Sequence, residues 1–310
     1  MNPLGPAGRG RLTVISDEVS QDLTETAAFV REFGMSGFEL RSMFGRAFRD
    51  LTDADVAEIR RVISGEGWEI HGCASQVFKC ELDDAGDVRG HADLFRRSLE
   101  IALALDCRLV RVFAFLRRPG CLTADLALKV ADRLRPLCEV AVSAGVVVGI
   151  ENEASCLVAT PDEAAALLAA LRHPAAGIVW DPCNILYLPG SRLGRVDFAA
   201  SFGALARHIV HVHVKDAVRT PNAPGAVPGL GSAEAVPVGT GDVDWALQLG
   251  AMRRAGYMGR ISLETHWRHR RLGDALLHRP AGGAFSAGGK EASRVCLSRL
   301  CDLWAQVWED

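Results

Sequence analysis

The chain alternates short apolar runs with longer segments in which apolar residues recur every three or four positions. Runs rich in Val, Ile and Leu are typical of buried strands, and the wider spacing is typical of helices that bury one face. The predicted strands are Leu12–Ser16, Gly37–Leu40, Glu69–Ala74, Leu109–Phe115, Val146–Ile150, Gly177–Trp180, Ile209–Val214 and Arg260–Leu263. The predicted helices are Thr24–Phe33, Asp53–Ser64, Gly90–Leu105, Ala124–Ala144, Pro161–Leu171, Val243–Ala255 and Glu291–Trp308. This alternation predicts a parallel sheet whose strands are connected by helices.

Capping residues flank several of the predicted helices. Thr52, Thr160 and Asp242 stand where the start of a helix needs a capping side chain or a first-turn acid. Glycines follow helical runs at positions 34, 67, 145 and 256, where a left-handed residue commonly ends a helix. The two signals agree with the apolar pattern on where these helices begin and end.

Eight strand–helix units in 310 residues fit a closed (β/α)8 TIM barrel in a single domain, with an open doubly wound sheet as the alternative. We expect residues 1–10 to form a disordered tail and residues 11–310 to form the barrel. Two long connections rich in Gly, Pro and Ala, 218–241 and 268–290, follow predicted strands directly. Loops that follow strands lie on the catalytic face of such a barrel, so both are predicted there, as lids or as a flexible rim.

Composition narrows the classes of partner. The net charge of −3 and the pI of about 6.3 give no basic patch for nucleic acid, and no apolar stretch reaches the roughly 18 residues that cross a membrane. The nine cysteines are scattered without a CxxC pair, and the N-terminus lacks the apolar core of a signal peptide. We therefore expect reduced thiols and a cytoplasmic protein without nucleic-acid or membrane partners, and a homo-oligomer stays open.

The candidate chemistry lies where the last four predicted strands end. Glu151, Asp181 and Glu264 each follow an apolar run directly, and His213 stands near the end of the seventh strand. Three carboxylates at one end of a barrel repel each other, and burying an unpaired charge costs several kcal/mol. A bound divalent cation is the simplest compensation, and this donor set suits Mn²⁺, Mg²⁺, Co²⁺ or Zn²⁺.

The seventh strand, IVHVHVKDA from Ile209, offers two histidines. Strand alternation places His211, His213 and Lys215 on one face and Val210 with the other valines on the opposite face. His213 is one step nearer the strand end, so it is predicted as the metal ligand and His211 as a supporting residue beneath it. Lys215 is expected to contact a substrate oxyanion or to neutralise the carboxylates.

The motifs ENE at Glu151, VWDPCN at Asp181, HVHVKD at His213 and SLETHW at Glu264 resemble the xylose isomerase-like TIM-barrel superfamily, particularly its sugar phosphate isomerase/epimerase branch. The resemblance covers most of the chain, roughly residues 12–308. It implies that these four residues bind one divalent metal ion and that Glu151 and Glu264 also move the proton. It also implies that Arg219, six positions after the ligand histidine, binds substrate, with an exposed loop charge as the alternative.

Two departures separate the chain from free-ketose 3-epimerases of that group. Asn184 stands where members often have a histidine, and it can bind a substrate hydroxyl without taking a proton. Leu157 stands where a second substrate-binding glutamate is expected. The endonuclease IV branch, which holds three zinc ions with extra histidines, is disfavoured by Asn184 and by the acidic net charge. His71 and Trp267 are further candidates for the substrate pocket, with core packing as the alternative for both.

The resulting hypothesis is a divalent-metal-dependent isomerase or epimerase of a small sugar or other α-hydroxy carbonyl compound. An α-hydroxy carbonyl group that chelates the ion has an acidified C–H bond and yields a stabilised enediolate. One glutamate removes the proton and the other returns it. Two alternatives stay open: a lyase on the same scaffold, such as an inosose-type dehydratase or an enzyme that cleaves 3-keto-glycosides, and a non-catalytic sugar- or metal-binding barrel.

Overall fold

Eight parallel strands form the centre of the protein in the computed structural model, which describes residues 10–117, 122–188, 197–220, 233–270 and 282–308. The strands are β1 Leu12–Val14, β2 Gly37–Leu40, β3 Glu69–Ala74, β4 Leu109–Val112, β5 Val147–Glu151, β6 Ala176–Trp180, β7 Ile209–Val214 and β8 Ile261–Leu263. Each is hydrogen-bonded to its neighbours in the order β1-β8-β7-β6-β5-β4-β3-β2. A parallel bridge between Ile15 and Glu39 joins β1 to β2 and closes the ring. The barrel prediction is therefore confirmed, and an open sheet is excluded.

Helices surround the strands and cover the outer face of the barrel. They are α1 Ser16–Val19, α2 Leu23–Phe33, α3 Asp53–Glu66, α4 Ala85–Ala104, α5 Ala124–Ser143, α6 Pro161–Leu171, α7 Phe198–Leu205, α8 Trp245–Arg254, α9 Gly282–Ser286 and α10 Gly289–Trp308. Apolar side chains of the longer helices pack on outward-facing strand residues such as Val148 and Val212, which are fully buried. None of the described helices is long and apolar enough to cross a membrane. Helix α7, between β6 and β7, was not predicted from the apolar pattern.

The predicted helix caps hold with one exception, although the helix predicted from Gly90 begins earlier, at Ala85. Thr52 and Thr160 each form a capping box, and Gly34 and Gly67 end their helices in the left-handed conformation. Asp242 does not cap the helix before β8, because that helix begins two residues later and Asp244 accepts the backbone hydrogen bond instead. The Asp242 carboxylate accepts a hydrogen bond from the backbone N–H of Arg219.

The two long connections contain regular structure of their own. In the first, the strand Asp216–Arg219 pairs with Ala233–Val236 as an antiparallel hairpin, and in the second, α9 precedes α10. Most of the predicted tail, residues 1–9, lies outside the described residues. The same holds for 221–232 and 271–281 in the two long connections. The eight described cysteines are buried, and no disulfide joins any two of them; Cys121 lies outside the described residues.

A bulge in β7 changes which residues fill the barrel. Ile209 pairs with Ile178, but His211 pairs with Val179, so Val210 is an extra residue in the ladder. A Cβ built on Gly177 would lie 2.3 Å from Val210 Cγ1, which shows that Val210 packs into the space that this glycine leaves. Val210 therefore does not share the outward face of the other two valines, because the bulge interrupts the alternation.

Gly177→Ala tests this packing. We expect the free energy of unfolding to fall by about 1–3 kcal/mol, because the added methyl group collides with the branched side chain of Val210 and lies 3.1 Å from the backbone oxygen of His208. The matched control is Gly65→Ala in α3, where nothing lies within 4 Å and stability should hold or rise. Urea denaturation of both variants and of Gly177→Ala/Val210→Ala, which should recover stability, checks the assignment; an unchanged Gly177→Ala would contradict it.

Candidate metal centre

The four residues singled out from the strand ends lie together in the structure. Glu151 is the last residue of β5, His213 lies in β7, and Asp181 and Glu264 follow β6 and β8 directly. Their ligand-type atoms all lie within 4.8 Å of one another, and each residue is at most 3% exposed. Parallel strands bring their carboxyl ends to one edge, so residues more than 100 positions apart meet there.

The imidazole of His213 stands between two of the acids. Its Nδ1 lies 3.1 Å from Glu151 Oε1 and 3.5 Å from Glu264 Oε2. Its Nε2 faces the other way, 3.2 Å from both carboxylate oxygens of Glu39 in β2. The pKa of His213 is raised well above its usual value, because the charges of Glu39 and Glu151 outweigh the effect of burial. The ring therefore presents Nδ1 to the acidic cluster.

Asp181 directs one oxygen into the centre and uses the other for the backbone. Its Oδ1 accepts hydrogen bonds from the N–H groups of Cys183 and Asn184 at 2.9 and 3.2 Å, which start the short helical turn Pro182–Tyr187. Its Oδ2 lies 2.5 Å from Lys215 Nζ. Burial raises the pKa of Asp181 to about 6, although the ammonium group opposes this shift.

Lys215 occupies the space between two of the candidate ligands. Its ammonium group lies 2.8 Å from Glu264 Oε2 as well as 2.5 Å from Asp181 Oδ2. Burial disfavours the charge, but Asp181 and Glu264 hold the pKa of Lys215 well above its usual value. Lys215 therefore forms ion pairs with two of the carboxylates.

Two buried arginines complete the charge network, and no role was predicted for Arg111 from the sequence. Arg111 in β4 forms an ion pair with Glu151 Oε2, and Arg41 after β2 forms one with Glu264 Oε1. Arg41 also binds Asp17 and Glu18 in α1, the short helix that follows β1, at 2.9 Å each. A sequence signal existed for Arg111, since it interrupts the apolar strand LVRV on the face that points inward.

The buried charges at this end of the barrel do not balance without a further cation. The buried acids of the network are Asp17, Glu18, Glu39, Glu151, Asp181 and Glu264. The buried permanent cations that pair with them are Arg41, Arg111, Lys215 and Arg268. These acids outnumber the permanent cations by two, and one divalent cation matches this excess when it displaces the proton that the raised pKa places on His213. The donor set of three carboxylates and one imidazole fits such an ion.

Two of the predicted substrate-binding residues support the centre from the side and from below. Asn184 donates from Nδ2 to Glu151 Oε1 at 3.3 Å and to the carbonyl oxygen of Asn152 at 2.8 Å. His211 lies deeper, with its Nε2 2.9 Å from Glu39 Oε2. The placement of His211 beneath the ligand histidine therefore agrees with the expectation from strand alternation.

The other three predicted contacts lie apart from the cluster. His71 Nδ1 is 2.9 Å from Thr13 Oγ1, and its Nε2 is 3.2 Å from the hydroxyl of Ser36, which precedes β2 at the amino end of the barrel. Arg219 is exposed on the hairpin, and no described hydrogen bond or ion pair joins its guanidinium to the centre. Trp267 is half-buried after β8, with its ring 4.7 Å from that of His269. These contacts support structural or rim positions for the three.

Asp216, beside Lys215, organises the loop that follows β7. Its carboxylate accepts hydrogen bonds from the backbone N–H groups of Gly239, Gly241 and Val243 at 2.9, 3.0 and 3.2 Å. A Cβ on Gly241 would lie 2.2 Å from Asp216 Oδ1, so the backbone must approach closely there. The GTG turn is thus a support for this carboxylate.

The fold and the acidic, histidine-containing centre define a class of (β/α)8 barrels with a candidate metal site. Residues 27–285 match the family model of the xylose isomerase-like TIM barrel. The chain belongs to this family. No curated protein matches the chain in sequence.

Solved structures with the same fold share little sequence with this chain. An L-ribulose 3-epimerase superposes with a TM-score of 0.71 at 16% identity, over 97% of this chain and 96% of the other. The IOLI protein with a bound zinc atom superposes with a TM-score of 0.70 at 17% identity, over 97% of this chain and 100% of the other. The probable 3-DHS dehydratase AsbF from Bacillus anthracis superposes with a TM-score of 0.67 at 19% identity, over 93% of this chain and 98% of the other. At these identities the likeness shows the fold alone.

Removing and restoring a divalent ion tests the centre. We expect Mn²⁺ at 100 times its Kd to raise the free energy of unfolding of the chelator-treated protein by about 2.7 kcal/mol. Asp181→Asn should lose most of this gain, because the amide cannot supply a charged ligand oxygen. Asp244→Asn is the matched control, since asparagine also caps α8. Thermal and urea denaturation with and without Mn²⁺ check this; equal gains in both variants would contradict the site.

His71→Gln tests the structural position of that ring. Burial lowers the pKa of His71 to about 3 from its ordinary value of 6.5, so the unfolded chain binds the proton first. The neutral ring makes its full contribution to the free energy of unfolding above pH 6.5. This contribution is lost as the pH drops toward 3. His71→Gln should reduce the slope of stability against pH by up to about 1.4 kcal/mol per pH unit in that window. Urea titrations between those limits measure it; identical slopes would refute the assignment.

Proposed function

We propose that the protein is a divalent-metal-dependent isomerase or epimerase that acts on a small sugar or a related α-hydroxy carbonyl compound. The observation that carries the proposal is the placement of Glu151 Oε1 and Glu264 Oε2 beside His213 Nδ1, at 3.1 and 3.5 Å. Two carboxylates thus share one small space that also receives Asp181. When bound, the ion would polarise the carbonyl group of the substrate and stabilise the charge of the enediolate. Glu151, Asp181, His213 and Glu264 would hold it.

Each glutamate binds an arginine through one carboxylate oxygen, and its other oxygen lies beside His213, where Lys215 contacts Glu264 Oε2 and Asn184 contacts Glu151 Oε1. Arg111 binds Oε2 of Glu151, and Arg41 binds Oε1 of Glu264. The remaining oxygens, Glu151 Oε1 and Glu264 Oε2, face the shared space. The pKa of Glu151 falls to about 2, because Arg111 and His213 outweigh the effect of burial, so the group is an anion at neutral pH. An ionised, oriented carboxylate is what proton removal requires.

Proton movement then determines the outcome. One glutamate takes the proton next to the carbonyl group, and the planar enediolate is protonated by the other. Return to the opposite face of the same carbon inverts it, and delivery to the neighbouring carbon exchanges aldose and ketose. The structural relatives that carry epimerase names support this reading as members of the same fold.

Lys215 favours a lyase as the second candidate. Its ammonium group lies 2.8 Å from Glu264, the proposed base, and carries three N–H donors, two of which can face Asp181 and Glu264. After proton removal, such a group can protonate a departing hydroxyl or alkoxy group, so that water or an alcohol leaves. A relative named as a dehydratase has the same fold.

Deuterium wash-in tests the proposal. The protein with Mn²⁺ is incubated in D₂O with ketopentoses, ketohexoses and inososes, and NMR follows exchange at the carbon next to the carbonyl group. We expect wash-in with at least one compound and a loss of at least about 100-fold in Glu151→Gln and Glu264→Gln at saturating Mn²⁺. Glu163→Gln changes a buried acid that caps α6, and serves as the matched control.

The products separate the candidates. A new sugar with retained composition supports the isomerase or epimerase, and released water or alcohol supports the lyase. Binding of Mn²⁺ without deuterium exchange in any compound would favour a non-catalytic binding barrel and contradict the proposal.

A further inference from the structure

Beneath the four candidate ligands, a buried carboxylate joins the two histidines of β7. Glu39 crosses the barrel interior from β2, and its Oε2 lies 2.9 Å from His211 Nε2. Both of its oxygens lie 3.2 Å from His213 Nε2. All three side chains are at most 1% exposed. No acid–base or ligand role has so far been given to Glu39.

The chemistry of a carboxylate dictates the proton positions in this chain. An ionised carboxylate only accepts hydrogen bonds, so each imidazole must carry a hydrogen on the Nε2 that faces Glu39. For His213 this leaves Nδ1 as the ring atom with an available lone pair when the ring is neutral. Nδ1 is the atom that points at Glu151 and Glu264.

We propose that Glu39 is a positioning residue that fixes the tautomer and ring orientation of His213, so that a divalent ion is bound through Nδ1. The inference rests on the proposed metal-dependent function and adds how the single imidazole ligand is prepared. Carboxylates that hold a ligand histidine in this way orient the ring and raise its basicity, and their loss typically weakens metal binding 10–100-fold.

The surroundings of Glu39 make it a rigid support. Its backbone forms the bridge with Ile15 that closes the barrel. Its side chain passes over Gly72, where a Cβ would lie 3.4 Å from Glu39 Cγ. His211 holds one of its oxygens at hydrogen-bond distance. The carboxylate is therefore fixed from three sides before any ion binds.

A competing arrangement uses the same three residues as metal ligands. Glu39, His211 and His213 place ligand-type atoms within 4.8 Å of one another. Their separations of 2.9 and 3.2 Å are those of direct hydrogen bonds. If His213 also bound an ion through Nδ1, its ring would have to lose both protons. The two arrangements predict different numbers of bound ions.

Metal titration of matched variants provides the first test. Chelator-treated wild type, Glu39→Gln, Glu39→Met and Glu163→Gln are titrated with Mn²⁺ by calorimetry, and electron paramagnetic resonance measures the free ion. We expect one Mn²⁺ per chain in wild type and in the Glu163→Gln control with equal Kd. Both Glu39 variants should bind about 10–100-fold more weakly. Glutamine supplies only one acceptor for two imidazole N–H groups, and methionine supplies none of comparable strength.

The proton on the ring provides a readout that a loss of stability alone would not move. Zn²⁺-loaded protein labelled with ¹⁵N-histidine gives long-range ¹H–¹⁵N spectra that report which nitrogen carries hydrogen, and His213→Gln assigns the signal. We expect the hydrogen of His213 on Nε2 in wild type. In Glu39→Met, the spectrum should show loss of this single form or loss of the bound ion.

Each outcome decides a separate statement. Two Mn²⁺ per chain in wild type, or unchanged Kd in both Glu39 variants, overturns the positioning role while leaving the metal-dependent function standing. A His213 hydrogen on Nδ1 with the ion on Nε2 also overturns it. Wild type that binds no divalent ion refutes the proposed function itself, and this inference with it.

Discussion

Negative charge buried at the carboxyl end of the barrel is the constraint on which the site depends. Several carboxylates lose their hydration there, and each would cost several kcal/mol if it stayed unpaired. Arg41, Arg111 and Lys215 each bind at least one acid, so the network holds together before a ligand enters. The same ion pairs decide which carboxylate oxygens face the shared space beside His213. The same ion pairs therefore both neutralise the buried carboxylates and orient them.

This network gives the candidate centre its preorganisation. The two arginines hold the outer oxygens of Glu151 and Glu264, so the inner oxygens need no rearrangement to face a substrate. Glu39 does the same for His213 from below. Groups that are already oriented avoid the cost of reorganisation during a reaction, which is the main electrostatic advantage of an enclosed site.

Much of the fold could be predicted because its signals are local. The apolar runs of the strands, the capping boxes at Thr52 and Thr160, and the left-handed Gly34 and Gly67 depend on a few neighbouring residues. Such local signals gave the wrong helix start where two nearby residues could both act as the cap. Asp242 and Asp244 are both plausible caps, and only the start of α8 selects the second. The bulge at Val210 has no signature in the strand pattern, since it comes from the register with β6.

The sequence by itself determined the barrel and the four residues at the strand ends, because parallel strands bring any residue that follows them to one edge. It could not assign partners across the barrel, since these depend on side-chain length, depth and register in three dimensions. The ion pairs of Lys215 with Asp181 and Glu264 became known only from their distances in the structure. Glu39 and Arg111 acquired roles only when closure of the ring brought them to His213 and Glu151. Tertiary structure thus decided how the centre is neutralised and oriented.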